Sequence, residues 1–167
     1  MWIALFSNSG TELAEVIERT GKEPDIIFLD KFRTPIDKRI VDKVRYSSHE
    51  GVKDYLKASP KDTLVTLHGY LRLLPEECIT DRTYNIHPGD IVMYPELRGI
   101  DPQKKAIELG LKSTGVVIHK VDAGIDTGEI QFVVTHDIEE GTDEETLIRE
   151  LRDIGINMWI NFLSGKI

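Results

Sequence analysis

The segment YNIHPGDI sets an amide, Asn85, and an imidazole, His87, two positions apart and then breaks the chain with Pro88 and Gly89. In an extended chain successive side chains alternate faces, so Asn85 and His87 point one way while Tyr84 and Ile86 point the other. Two polar heads on one face at a strand's end can reach a single oxygen, and an imidazole can carry a proton near neutral pH. Each residue also has an ordinary reading. Asn85 could bond a backbone carbonyl, a lone histidine is more often a surface or satisfied core group than a catalyst, and Asp126 could be a loop acid between the turn-forming Gly124 and Gly128.

The elements around the pair decide what kind of sheet carries it. Residues 2–6 form a short apolar run ending in Ser7-Asn8-Ser9-Gly10, after which Leu13, Val16 and Ile17 share a helical face; this predicts strand, tight loop and helix. Ser9 with Glu12, and Ser47 with Glu50, predict capping boxes at two helix starts, the second helix running through Lys57. Further strands are predicted at 25–29, 64–67 and 85–87, followed by a loop with Pro95, Gly99 and Pro102 and a short helix at 103–109. Residues 115–121 and 130–135 read as a closely spaced, antiparallel strand pair. Residues 142–163 read as a long helix with Leu147, Leu151, Ile154, Met158 and Phe162 on one side. Strands alternating with helices predict an α/β fold whose mostly parallel central sheet is flanked by helices. Ligands of such sheets collect at the carboxyl ends of strands, where Asn85 and His87, residues 7–11 and His68-Gly69 all fall.

Composition narrows the function classes. At 167 residues and 40% hydrophobic, the chain suits one domain with one core. A net charge of -8 argues against nucleic acid as a partner, and the basic residues Lys31, Arg33, Lys38, Arg39, Lys43 and Arg45 are diluted by Asp37 and Asp42, as on a solvated surface. Cys78 is the only cysteine, which excludes an internal disulfide and a multi-cysteine zinc site and fits a reducing compartment. No apolar run approaches the roughly 20 residues of a membrane span, and the N-terminus lacks a basic leader, so the expectation is a cytoplasmic protein without a membrane partner.

The stretches LHGYLRLLP (67–75), NIHPGDI (85–91) and TGVVIHKVDAGIDTGEI (114–130), in this order and spacing, resemble the folate-dependent formyltransferase family. Its members include glycinamide ribonucleotide, methionyl-tRNA and amino-sugar formyltransferases. The resemblance covers most of the chain and is weakest over 30–62. It implies a Rossmann-like formyltransferase fold over residues 1–167, a single catalytic domain without a C-terminal β-barrel domain, that passes the formyl group of 10-formyltetrahydrofolate to a primary amine. The family's catalytic positions fall on Asn85, His87 and Asp126. Leu71, Arg72, Leu73 and Leu74 match the loop that grips the pterin largely through backbone groups, and Val121, Asp122, Gly124 and Ile125 match the rest of the folate pocket. The implied chemistry needs donors for a tetrahedral oxyanion, for which Asn85 and a protonated His87 qualify. Asp126 would carry the proton from attacking amine to leaving nitrogen and favour the charged imidazole. Neither a metal nor Cys78 as a nucleophile is required. His119 is either a supporting group or a packing residue, while His49, His68 and His136 carry no expected role.

The acceptor signals conflict. Gly10, Thr11 and Glu12 match a turn and helix start that hold a substrate phosphate in relatives, but Glu12 puts a carboxylate where they have an amide. Either Glu12 turns away into its capping box or the site is not for phosphate. Residues 97–102, with Arg98, look like the tRNA and amino-sugar branch; Arg98 could meet a phosphate or cap its loop. Arg149 and Arg152, one helical turn apart, could face the pocket mouth. The acidic charge and the chain's end at Ile167 disfavour tRNA. The expectation is a small phosphorylated amine, led by phosphoribosylglycinamide of purine biosynthesis and followed by an amino-sugar nucleotide; a deformylase and a non-catalytic folate binder are the other classes. The segment 30–63 is short for the family, and a homodimer could supply a missing wall.

Overall fold

The computed structural model describes residues 1–31 and 34–167. Arg33 of the basic segment lies outside them. In chain order the elements are β1 (Trp2–Phe6), α1 (Thr11–Thr20), β2 (Ile26–Leu29), β3 (Val44–Tyr46), α2 (His49–Ala58), β4 (Leu64–Leu67), β5 (Arg82–His87), α3 (Pro102–Glu108), β6 (Ser113–Lys120), β7 (Ile130–Asp137) and α4 (Glu144–Ser164). The strands form one sheet in the order β3-β2-β1-β4-β5-β6-β7. From β3 to β5 all pairings are parallel, and β6 and β7 extend the sheet antiparallel. The anticipated α/β architecture is therefore present, with the chain's crossover direction reversing between β1 and β4.

β1, β2 and β4 are buried at every position, as continuous apolar strands covered on both faces should be. One face packs Trp2, Ala4, Phe6, Tyr84 and Ile86 beneath α1 and α4, with Trp159 wholly buried. The other packs Ile3, Leu5, Val65 and Leu67 against Val52 and Leu56 of α2. This second core contains no residue of β5, β6 or β7. Where it stops, β5 turns Asn85 and His87 toward that same face, so the polar pair sits beyond the edge of the apolar layer.

Helices α1 and α2 both start near the expected positions, but their caps differ from the expected boxes. The box between Ser9 and Glu12 does not form: α1 is capped by Gly10 at φ 71 with no side-chain bond, and Ser9 Oγ turns to the Thr11 hydroxyl at 2.9 Å. Gly10 is required there, because a Cβ would lie 2.7 Å from Ile40 Cδ1 as well as in the left-handed region. α2 is capped one residue later than expected, by Ser48, whose Oγ accepts the Gly51 N–H, while Glu50 pairs with Lys53. β3 was not anticipated. Its three residues are half-exposed or exposed at the sheet edge and too few to show alternation, so they read as solvated surface.

Candidate active site

Asn85 and His87 lie at the carboxyl end of β5, paired across the antiparallel junction with His119 and Val117 of β6. The register therefore puts an imidazole beside the amide. His119 Nδ1–H donates to the Lys120 carbonyl at 2.7 Å, which leaves Nε2 to accept from Asn85 Nδ2 at 3.2 Å. Asn85 Nδ2 also faces Asp126 Oδ1 at 3.4 Å, and His119 Nε2 lies 3.3 Å from the same oxygen. His87 Nδ1 is 3.3 Å from Asp126 Oδ2, and Nε2–H donates to the Leu97 carbonyl at 2.7 Å. Three segments distant in sequence thus meet at one carboxylate.

Asp126 is held by more than its neighbours in the cluster. The Gly99 N–H donates to Oδ2 at 2.8 Å, and Arg98 Nε donates to the Asp126 main-chain carbonyl at 3.1 Å. Its φ of 53 is unusual for a non-glycine residue, and aspartate is among the few that tolerate it. Asp122 Oδ1 ties the turn beneath, accepting from the Gly124 N–H at 3.0 Å and the Thr127 hydroxyl at 2.7 Å. Gly128 lets the turn return against β6, where a Cβ would lie 1.9 Å from the Lys120 carbonyl oxygen. Neither Leu97 nor Gly99 was anticipated as a partner. Nothing in sequence marks a main-chain group as an anchor.

Burial is the largest influence on His87 and lowers its pKa against the opposing pull of the Asp126 charge. Burial would raise Asp126, but the adjoining His119 and His87 rings and the Gly99 N–H together hold it below the ordinary carboxylate value. A standing imidazolium at His87 is therefore disfavoured; the resting arrangement is a carboxylate beside a largely neutral ring. NMR titration of His87 is expected to give a midpoint below 6.5. Asp126→Asn should lower it further, since it removes the charge that favours protonation; a wild-type midpoint above 6.5 would mean that the carboxylate outweighs burial.

The remaining expected residues separate into groups. Leu71 and Leu73 project into solvent at 61% and 56% exposure, while Leu74 is buried. Arg72 pairs with Asp30. A cleft of about 570 Å³ opens between the turn carrying Ile79 and Thr80 and the segment Val121, Asp122, Ala123 and Gly124, with Ile125 exposed beside it. Gly10, Thr11 and Glu12 start α1 at the crossover point. Glu12 turns inward, where His68 Nδ1–H and Trp159 Nε1–H both donate to Oε1 at 2.9 Å. His68 Nε2 in turn accepts from the Thr66 hydroxyl at 2.9 Å, so a histidine without an expected role is the partner that fixes Glu12. Arg149 and Arg152 are exposed on α4, which covers the sheet face opposite Asn85 and His87; neither forms a hydrogen bond or ion pair with the cluster. Among the described residues no group of three or more His, Cys, Asp and Glu side chains is arranged to hold a metal, and no helix is long and apolar enough to cross a membrane.

An α/β sheet with a crossover point and an amide, two imidazoles and a carboxylate gathered at a strand's carboxyl end defines the class. The family model described as Formyl transferase matches residues 5–163, and the chain belongs to that family. It is 29% identical over 138 residues to methionyl-tRNA formyltransferase of Caldicellulosiruptor saccharolyticus, covering 81% of this chain and 43% of the relative. It is 34% identical over 98 residues to phosphoribosylglycinamide formyltransferase of Mycobacterium tuberculosis, covering 57% of this chain and 44% of the relative. These alignments span less than half the length of either relative. The crystal structure of phosphoribosylglycinamide formyltransferase from Bacillus halodurans superposes with a TM-score of 0.81 at 27% identity, covering 98% of this chain and 96% of that one. The resemblance drawn from the three motifs holds.

Proposed function

We propose that this chain is a catalytic domain that transfers the formyl group of 10-formyltetrahydrofolate to the primary amine of a small acceptor. The observation that carries the reading is the convergence of Asn85, His87, His119 and Asp126 at one open strand end. Its surroundings fit a folate: a cleft of about 570 Å³ sets Ile79, Val121 and Ala123 beside polar Thr80, Asp81 and Asp122, and Leu71, Leu73 and Ile125 present exposed apolar surface. The folate supplies the activated formyl carbon.

The chain's own groups supply orientation, donors and a proton path. Asn85 Nδ2–H serves the negative charge that develops on the formyl oxygen, while His87 keeps its Nε2–H on the Leu97 carbonyl and turns Nδ1 to Asp126. The Asn85 contacts, at 3.2 and 3.4 Å, are long enough to be given up to an incoming oxygen. As the acceptor nitrogen bonds to the formyl carbon it sheds a proton, and the carbon's bond to the folate nitrogen breaks as that nitrogen gains one. Asp126, with His87 Nδ1 beside it, holds the proton between these events. Gly99 and Arg98 keep the carboxylate's backbone and Oδ2 fixed meanwhile.

Phosphoribosylglycinamide is the first acceptor to try, because proteins of that name are among both the relatives and the structural neighbours. Glu12 keeps a carboxylate at the start of α1, pinned by His68 and Trp159, where an incoming phosphate would meet like charge, so an acceptor whose phosphate lies away from that helix start, such as an amino-sugar nucleotide, is the second to try. The test is the absorbance change of 10-formyltetrahydrofolate on mixing with a panel of both acceptor types. Turnover with one amine, lost in His87→Ala, is expected; formate release without any amine would make the protein a deformylase, and tight folate binding with no turnover would make it a binder.

A further inference from the structure

Asp30, at the end of β2, carries a carboxylate only 1% exposed and lies outside the cluster described above. Its Oδ1 accepts the Ser7 hydroxyl proton at 2.7 Å, and its Oδ2 accepts Arg72 Nε at 3.0 Å. Because Ser7 gives its one proton to Asp30, its lone pairs are free to accept the Leu71 N–H, which they do at 2.9 Å. One buried carboxylate thus joins the chain segments that leave β1, β2 and β4. Both of its links to the third segment end on the loop that begins at Gly69.

That loop is fastened at alternate residues. Gly69 adopts φ 69, the Tyr70 hydroxyl meets His49 Nδ1 at 2.8 Å, Arg72 is tied to Asp30, and Leu74 is buried in the core beneath α2. Between these anchors Leu71 and Leu73 are left projecting into solvent. Large apolar side chains exposed on a tethered loop are arranged for a ligand, since ordering a loose loop on binding would subtract from affinity.

We infer that Asp30, acting with Ser7, is a positioning residue that pre-organises residues 70–74 for the folate; the inference rests on the formyl-transfer reading for the identity of that ligand. Asp30 touches no reacting atom in this scheme. It fixes Arg72 directly and the Leu71 backbone through the serine hydroxyl.

Two variants separate the two links. Asp30→Asn retains an oxygen for Ser7 but turns an amide NH2 toward Arg72 Nε, donor against donor. Ser7→Ala leaves the ion pair and removes the acceptor of the Leu71 N–H. Each is expected to raise KM for 10-formyltetrahydrofolate on the order of tenfold, the cost of ordering one or two side chains, while kcat at saturating folate stays within about twofold. Hydrogen exchange of the Leu71 amide in the free protein should quicken in Ser7→Ala, which removes its acceptor. Leu147→Ala, which empties part of the separate core under α4 on the opposite face of the sheet, serves as the stability control: it should lower Tm without a matching rise in KM.

Unchanged Leu71 exchange in Ser7→Ala would overturn the inference whatever the ligand. Faster exchange with unchanged folate KM, or a KM rise no larger than that of Leu147→Ala, would leave Asp30 a stability residue only and equally overturn it. Wild-type protein that neither binds nor consumes 10-formyltetrahydrofolate would remove the functional reading, and the ligand assigned to this loop would fall with it.

Discussion

Asp126→Asn is expected to lower kcat by roughly 10²–10⁴, the range typical of a lost acid–base group, while folate affinity is retained. The substitution is nearly isosteric, and asparagine also tolerates the left-handed backbone at φ 53. An amide oxygen can still accept the Gly99 N–H, so the loop keeps its anchor. What disappears is the negative charge beside His87 Nδ1 and the ability to take a proton. Rate measurements at saturating folate and amine, paired with direct folate binding and a melting curve, separate the cases. A parallel loss of rate, folate binding and Tm would make Asp126 a structural acid and defeat its assignment to proton transfer.

How much of this arrangement was legible in sequence depends on the range of the interaction. The parallel core was readable because β1, β2 and β4 are unbroken apolar runs, and α4 because Leu147, Leu151, Met158 and Phe162 recur on one side. Asn85 and His87 were readable as a same-face pair from the period of two alone. The motif resemblance, rather than any periodicity, brought Asp126 to them across forty residues of sequence. The links that hold the site are long-range and partly main-chain: Leu97 O on His87, Gly99 N on Asp126, Ser7 on Leu71. A carbonyl or an amide N–H is present in nearly every residue and leaves no mark. Glu12 shows the same limit differently. Its spacing from Ser9 satisfied the capping pattern, but two buried donors brought from β4's end and α4 offered its carboxylate better-desolvated hydrogen bonds than the local turn.

The antiparallel extension of the sheet is what completes the cluster. With a parallel neighbour β5 would end beside another strand end; with β6 running back, its penultimate residue His119 lies opposite Asn85, and the turn that follows β6 carries Asp126 up to both.

That geometry makes Asn85→Ala the second decisive substitution. Its amide is the one group in the cluster with N–H donors on a side chain that cannot titrate, so its contribution to a developing oxyanion does not depend on pH. Removing a donor of this type costs about 10²–10³ in rate. Because the loss falls on charge that is absent from the ground state, kcat and kcat/KM should drop together, with KM for folate little changed. A structural amide would behave otherwise. Losing the bond to His119 would then lower Tm and raise KM, with kcat restored at saturation. Full kinetics of Asn85→Ala at several folate concentrations distinguish the two, and recovery of kcat at saturating folate would remove Asn85 from the chemistry and leave it a partner of His119.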